Sequence, residues 1–211
     1  MICVSVIEKS IPLIVDIANS SEMAEIRIDL CGLNLQTTIE VFSHIQKPTI
    51  ATCRPDYCDD EQRATLLQAA IEAGATYVDV EIESPETFKK QVMAFAKAHN
   101  CKSIISYHNY EKTPSSQELK TIVDDCFAQG ADIAKIATMA QTKADSARVL
   151  SLYADYSNIV ALAMGAEGKI TRIANLCLGS PFSFAAVSLE HVSAQGQMTV
   201  QQMKTLRGIL E

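Results

Sequence analysis

Eight short apolar runs recur along this chain at nearly even spacing, each followed by a longer amphipathic stretch. The runs fall at residues 2–6, 25–30, 49–54, 77–82, 103–107, 133–138, 159–164 and 183–188. Runs this short and this rich in Val, Ile and Ala read as strands, and the stretches at 62–73, 85–98, 116–128 and 144–156 read as helices. Strands joined through helices lie parallel, because a parallel pair needs a crossover and a hairpin cannot supply one. Eight such units in 211 residues predict a small (β/α)8 TIM barrel, a single catalytic domain over residues 1–211. A doubly wound open sheet shares the alternation, but no Gly-x-Gly-x-x-Gly turn follows the first run.

Punctuation between the runs supports the reading. Ser84-Pro85-Glu86 offers a cap, a first-turn proline and an acidic first turn. Gly74, Gly130 and Gly179 follow helical stretches, where a left-handed residue is wanted. No linker or low-complexity block breaks the rhythm.

Composition then limits function. A net charge of -7 without a basic cluster gives no footprint for nucleic acid. No run has membrane-spanning length, and the start, Met-Ile-Cys-Val-Ser-Val, has no charged leader. Seven cysteines without CxxC pairing or metal-ligand spacing point to a reducing compartment, the cytoplasm, and to no bound metal. Cys3, Cys53 and Cys101 lie in or beside strand-like runs, where free cysteine behaves as a small apolar residue.

The strands carry an unusual load. In the second run, Ile26, Ile28 and Leu30 alternate with Glu25, Arg27 and Asp29. In the fourth, Val78, Val80 and Ile82 alternate with Asp79 and Glu81. One face of each strand therefore turns charge inward, where a barrel normally stacks branched apolar residues. The third run ends in Thr52-Cys53-Arg54 and the fifth in Ser106-Tyr107-His108. Such a set is either a structural ion-pair network or a substrate site drawn from several strand ends.

Lys135 is the sharpest candidate within it, flanked by Ile133, Ala134, Ile136 and Ala137. A buried ammonium tends to lose its proton and become nucleophilic, as Schiff-base chemistry with a carbonyl requires. The alternative is a strand-end lysine whose stem packs while its head reaches water. His108 is the candidate acid–base group, or else a histidine bonded locally. His44, His99 and His191 have helix or loop contexts that compete poorly.

Six stretches together make the chain resemble the type I 3-dehydroquinate dehydratase family, the Schiff-base lyases of the shikimate pathway. They are Glu25-Ile-Arg27-Ile-Asp29, Thr52-Cys53-Arg54, Ser106-Tyr-His108-Asn-Tyr110, the run from Gly130 to Ala137 around Lys135, the run from Met164 to Arg172, and Ser193-Ala-Gln-Gly-Gln197. The resemblance implies that Lys135 forms an iminium with the ring ketone of 3-dehydroquinate. It implies that His108 moves the protons as water leaves to give 3-dehydroshikimate. By the same resemblance Arg172 holds the substrate carboxylate, and Glu25, Arg27 and Arg54 meet the ring hydroxyls. Gln197, with the backbone of Ser193 and Ala194, belongs to a loop closing over the substrate; Phe184 and Met164 supply apolar walls. No cofactor is implied, and the family suggests a homodimer.

The chain also departs from the family. Cys58 stands where relatives commonly carry the glutamate that orients the histidine, and Asp59, Asp60 and Glu61 follow it. A neighbouring acid, or Asp79 or Glu81, is then left to orient His108. Leu162 replaces a frequent methionine, and the first strand begins without the hairpin that covers the barrel bottom in many relatives. Two residues are inserted between Phe184 and Ser193. A class I aldolase-type barrel acting on another small carbonyl substrate is the competing enzyme; Glu167 would repel a phosphate in its loop. A non-catalytic barrel with a relic site is the competing non-enzyme.

Overall fold

Parallel strands and helices alternate throughout the computed structural model, which describes residues 1–210. They group into two compact units: Val4–Ile104, and Met1–Cys3 together with the chain from Ile105 onward.

The first unit begins within β1 (Ile2–Val6) and holds α1 (Ile11–Asn19), β2 (Met23–Arg27), α2 (Ile28–Cys31), α3 (Leu35–His44), β3 (Thr49–Thr52), α4 (Asp60–Glu72), β4 (Tyr77–Glu81) and α5 (Glu86–Ala98), and it ends within β5 (Lys102–Asn109). Its strands neighbour one another in chain order. In the parallel register Arg27 faces Thr52 and Thr52 faces Asp79, while Glu25 faces Ile50 and Ile50 faces Tyr77. Partners across a ladder share a face, so Glu25, Arg27, Thr52 and Asp79 lie on one side of the sheet. Ala24, Ile26, Ala51, Val78 and Val80, all fully buried, lie on the other. The alternation expected from sequence therefore holds across β2, β3 and β4.

Two expectations in this unit need correction. The second strand starts at Met23 and stops at Arg27, not Leu30. Ile28–Cys31 is a single helical turn closed by Gly32 at φ 69, and it leaves Leu30 39% exposed. Across this turn Arg27 Nε and Nη2 chelate the Asp29 carboxylate at 3.0 and 2.5 Å. Ser84 is also not the cap of α5. Pro85, extended at φ -52 and ψ 140, occupies that place, and Ser84 donates to Glu81 Oε2 at 3.5 Å.

The second unit holds the rest of β5, then α6 (Ser116–Ala128), β6 (Ile133–Met139), α7 (Lys143–Ser151), a 3-10 turn (Leu152–Ala154), β7 (Ile159–Met164), α8 (Thr171–Cys177), β8 (Ser183–Ala186) and α9 (Val200–Leu210). The last strand is thus shorter than the 183–188 expected. β6 lies between β5 and β7, and β8 lies beside the start of β1, where Ser183 N donates to Met1 O at 3.1 Å. Ile2, Ala185 and Met203 form a buried cluster there. Capping boxes start α6 (Ser115 with Glu118) and α7 (Thr142 with Asp145), fixing where each helix leaves its loop.

Among the described residues β7 pairs with β6 alone and ends its side of the sheet. Ala134 N and Ala140 N donate to Asn158 O and Met164 O, so the even positions face β6 and the odd positions face away. Side chains take the odd ones. The Tyr153 hydroxyl accepts from Ala161 N at 2.7 Å and donates to Ala161 O at 3.1 Å. Thr171 Oγ1 accepts from Ala163 N at 2.8 Å, and Ser180 Oγ donates to Ile159 O at 3.2 Å.

Candidate active site

In the second unit the register pairs Lys135 with Val160, Ala137 with Leu162 and Met139 with Met164, so these residues share a face. Lys135 is 5% exposed, and its Nζ lies 4.5 Å from the centroid of the Phe184 ring on β8. Phe184 is held in turn edge-on by Phe182, ring centroids 5.6 Å apart. The lysine head is therefore buried against an aromatic face rather than stretched to water. A π face favours a cation by about 0.5–2 kcal/mol, whether ammonium or iminium.

Arg172, in the first turn of α8, is 1% exposed. Its Nη2 donates to Gln195 O at 3.4 Å, and its Nε is buried with no hydrogen-bond partner among the described residues. Burial pushes the guanidinium down from 12.5 to about 10. An arginine so placed is a cation built without its anion, a shape that a ligand carboxylate would complete bidentately.

Gln195 belongs to the segment 187–199, which is pinned at several points. Gly165 N donates to Gln195 O at 3.2 Å, and Ala186 N donates to Met198 O at 2.9 Å. Gln197 Oε1 accepts from Ser193 N at 2.9 Å and Ser193 Oγ at 3.2 Å, and Gln197 N donates to Ala194 O at 3.3 Å. Gly196, at φ 74, sits so tightly on Gly165 that a Cβ there would lie 2.3 Å from Gly165 O. Met164, 2% exposed, ends β7 immediately before this docking point. His108, half-buried near the end of β5, stacks on the exposed Tyr110 with ring centroids 6.0 Å apart.

In the first unit Glu25 is 4% exposed and accepts from Ser5 Oγ at 2.8 Å and from Thr52 Oγ1 at 3.0 Å. Arg27 is turned onto Asp29, as above; burial works against its charge, but the Asp29 hydrogen bond and Glu25 outweigh this and raise its pKa. Arg54 donates through Nη1 to Asp79 Oδ1 at 2.9 Å and to Glu81 Oε1. Burial again opposes the charge, and Asp79 and Glu81 together override it, so Arg54 too is raised. Glu81, one of the acids considered for orienting His108, is thus bound to guanidinium. Cys58 is half-buried; its thiol is pushed up by burial and shares a hydrogen bond with the Cys53 thiol.

The second unit thus brings together Lys135 with Phe184, and Arg172 with the loop of Ser193, Ala194 and Gln197; the first groups Glu25 with Thr52, and Arg54 with Asp79 and Glu81. Sequence reading missed Ser5, Thr52 and Arg63 as partners of these carboxylates. Thr52 had a signal, as a polar strand residue two places before Arg54; Ser5 had a weaker one, as the single polar residue of an apolar run. Arg63 had none.

This chain has the (β/α)8-barrel fold: it matches the crystal structure of type I 3-dehydroquinate dehydratase from Clostridium difficile with covalently modified comenic acid at a TM-score of 0.87 and 25% identity, covering 99% of this chain and 91% of that one. Residues 2–211 match the family described as Type I 3-dehydroquinase. The 3-dehydroquinate dehydratases of Methanococcus maripaludis (strain C6) and Methanocaldococcus jannaschii are each 34% identical, the match covering 100% of this chain and 100% and 99% of theirs. The chain belongs to this family.

Proposed function

We propose that this protein dehydrates 3-dehydroquinate to 3-dehydroshikimate through a Schiff base on Lys135, as one catalytic domain of the shikimate pathway. The observation that carries the reading is the pair of buried cations in one unit, Lys135 under the Phe184 ring and Arg172 without a carboxylate. The buried Arg172 costs the fold, and the two groups together serve a carbonyl substrate that also bears a carboxylate.

The Lys135 amine attacks the ring ketone, and the ketone oxygen leaves as water with protons delivered by His108. The resulting iminium withdraws electrons from the adjacent carbon. His108 takes a proton from that carbon, and the hydroxyl on the next carbon leaves as water with a proton returned by the same imidazole. Hydrolysis of the product iminium frees Lys135. The Phe184 face favours the cationic intermediate over a neutral imine. Arg172 binds the carboxylate in a fork, Met164 and Phe184 give apolar walls, and Glu25, Arg27 and Arg54 bind the ring hydroxyls. Gln197, Ser193 and Ala194 cover the substrate. The substrate is a small molecule, no cofactor takes part, and the protein works as a cytoplasmic homodimer.

Borohydride reduction in the presence of 3-dehydroquinate, read by intact mass and peptide mapping, tests this. A stable adduct on Lys135, lost in Lys135→Ala, is the expected result. An adduct on another lysine, or none, overturns the mechanism.

A further inference from the structure

We infer that Arg63, buried on α4, is a positioning residue that holds Arg54 in place through Glu81; the inference rests on the reading of Arg54 as a substrate-binding group. Arg63 is 1% exposed, on a helix opened by Asp60, Glu61 and Gln62. Every nitrogen of its guanidinium is used. Nε donates to Cys53 O at 3.1 Å, Nη1 to Asp60 Oδ1 at 2.7 Å and Nη2 to Glu81 Oε2 at 2.9 Å. Its plane rests on the Phe88 ring, with the central carbon 4.4 Å from the centroid.

Two of these contacts converge on Arg54 from opposite ends. Cys53 is the residue before Arg54, so the Nε bond fixes the backbone from which Arg54 departs. Glu81 is the carboxylate that receives the head of Arg54, one oxygen going to Arg54 Nη1 and the other to Arg63 Nη2. Arg63 therefore sets both where Arg54 starts and where its guanidinium stops.

Charge gives the same answer. Asp79 and Glu81 are both buried, and both bond to Arg54. With Arg63 present, two guanidiniums balance the two buried carboxylates, the third acid in contact, Asp60, being partly exposed to solvent. Without it, Arg54 alone would face two acids and be drawn fully onto them, away from a ligand hydroxyl. A lysine could restore the charge, yet its single ammonium cannot bond Cys53 O, Asp60 and Glu81 in one plane or stack on Phe88.

The test measures steady-state kinetics with 3-dehydroquinate for Arg63→Lys, Glu81→Gln, Arg54→Met and the double variant Arg54→Met/Arg63→Lys, with thermal melting alongside. Arg63→Lys should raise KM about tenfold, as one misplaced charge-assisted hydrogen bond would, and leave kcat within about threefold. On the Arg54→Met background the same change should alter KM less than about twofold, because the residue it acts through is gone. Glu81→Gln, nearly isosteric, should reproduce the KM rise even if Arg63→Lys fails to fold. A lowered melting temperature with unchanged KM in the folded variants, or full additivity in the double variant, overturns the inference and leaves Arg63 a purely structural ion pair. Unchanged KM in Arg54→Met would instead overturn the reading of Arg54 itself.

Discussion

Arg172→Met should make the free protein more stable while crippling its grip on substrate. The arginine is 1% exposed, and burial alone lowers its pKa from 12.5 to about 10. At 1.36 kcal/mol per unit, that drop corresponds to roughly 3 kcal/mol by which the folded state disfavours the charged form. A folded-state pKa below the unfolded value makes this penalty complete at neutral pH, and relieves it only as pH rises from about 10 towards 12.5. Methionine matches the length of the stem and needs no hydrogen bond, so most of the penalty should vanish. For a chain of this size a gain of about 2–3 kcal/mol raises Tm by roughly 5–10 °C. Losing one partner of a buried charge pair costs about 2–4 kcal/mol in binding, so KM for 3-dehydroquinate should rise by about 30-fold or more. Differential scanning calorimetry at pH 7.5, with and without 3-dehydroshikimate, reads both effects at once. Product should raise the Tm of the wild type and have little effect on the variant. A lower Tm in Arg172→Met, or a product-induced shift as large as that of the wild type, would refute the picture of a cation awaiting its anion.

His108→Ala should lower kcat by about 10²–10⁴-fold, and borohydride should still trap an adduct on Lys135; near-wild-type turnover would move suspicion to Glu25. Gly196→Ala should lift the 187–199 segment off β7, because φ 74 and a 2.3 Å approach to Gly165 O leave no room for a methyl group. Limited proteolysis should then cut within that segment faster than in the wild type, and equal rates would show that the docking yields to a small shift. Prolonged treatment with EDTA should leave turnover unchanged, since an iminium does the work of a Lewis acid; loss restored by zinc or magnesium would contradict this.

Where the chain's chemistry follows a short period, it can be read without coordinates. Glu25, Arg27 and Asp79 announce themselves because a strand alternates with period 2 and their neighbours are apolar. Lys135 stands out because nothing else in its run is charged. Reading fails where a residue's meaning comes from a partner far along the chain. Arg63 follows Asp60-Glu61-Gln62 and looks like part of a solvated first turn; only the placement of Glu81 and Phe88 shows that it is buried. Strand 2 runs past its true end on paper, since Ile28-Asp29-Leu30 continues the alternation while the backbone has already entered a helical turn closed by Gly32. The cap of α5 lies one residue later than the Ser-Pro-Glu pattern predicts, because Pro85, at φ -52 and ψ 140, stays outside the helix.

The free edge of β7 has a further consequence for how the protein opens. A ladder bond breaks only when two stretches of chain separate, whereas a hydroxyl can turn aside by one torsion. The amides of Ala161 and Ala163 are held by Tyr153 and Thr171 hydroxyls, so each can be released while β7 stays where it is. Their hydrogen exchange should therefore follow small local fluctuations, faster than that of the amide of Ala140, which is held by the backbone at Met164 O. Tyr153→Phe would leave the Ala161 amide without its acceptor, and Ala161 O with only the long 3.5 Å bond from Asn175 Nδ2, so exchange at Ala161 should quicken further.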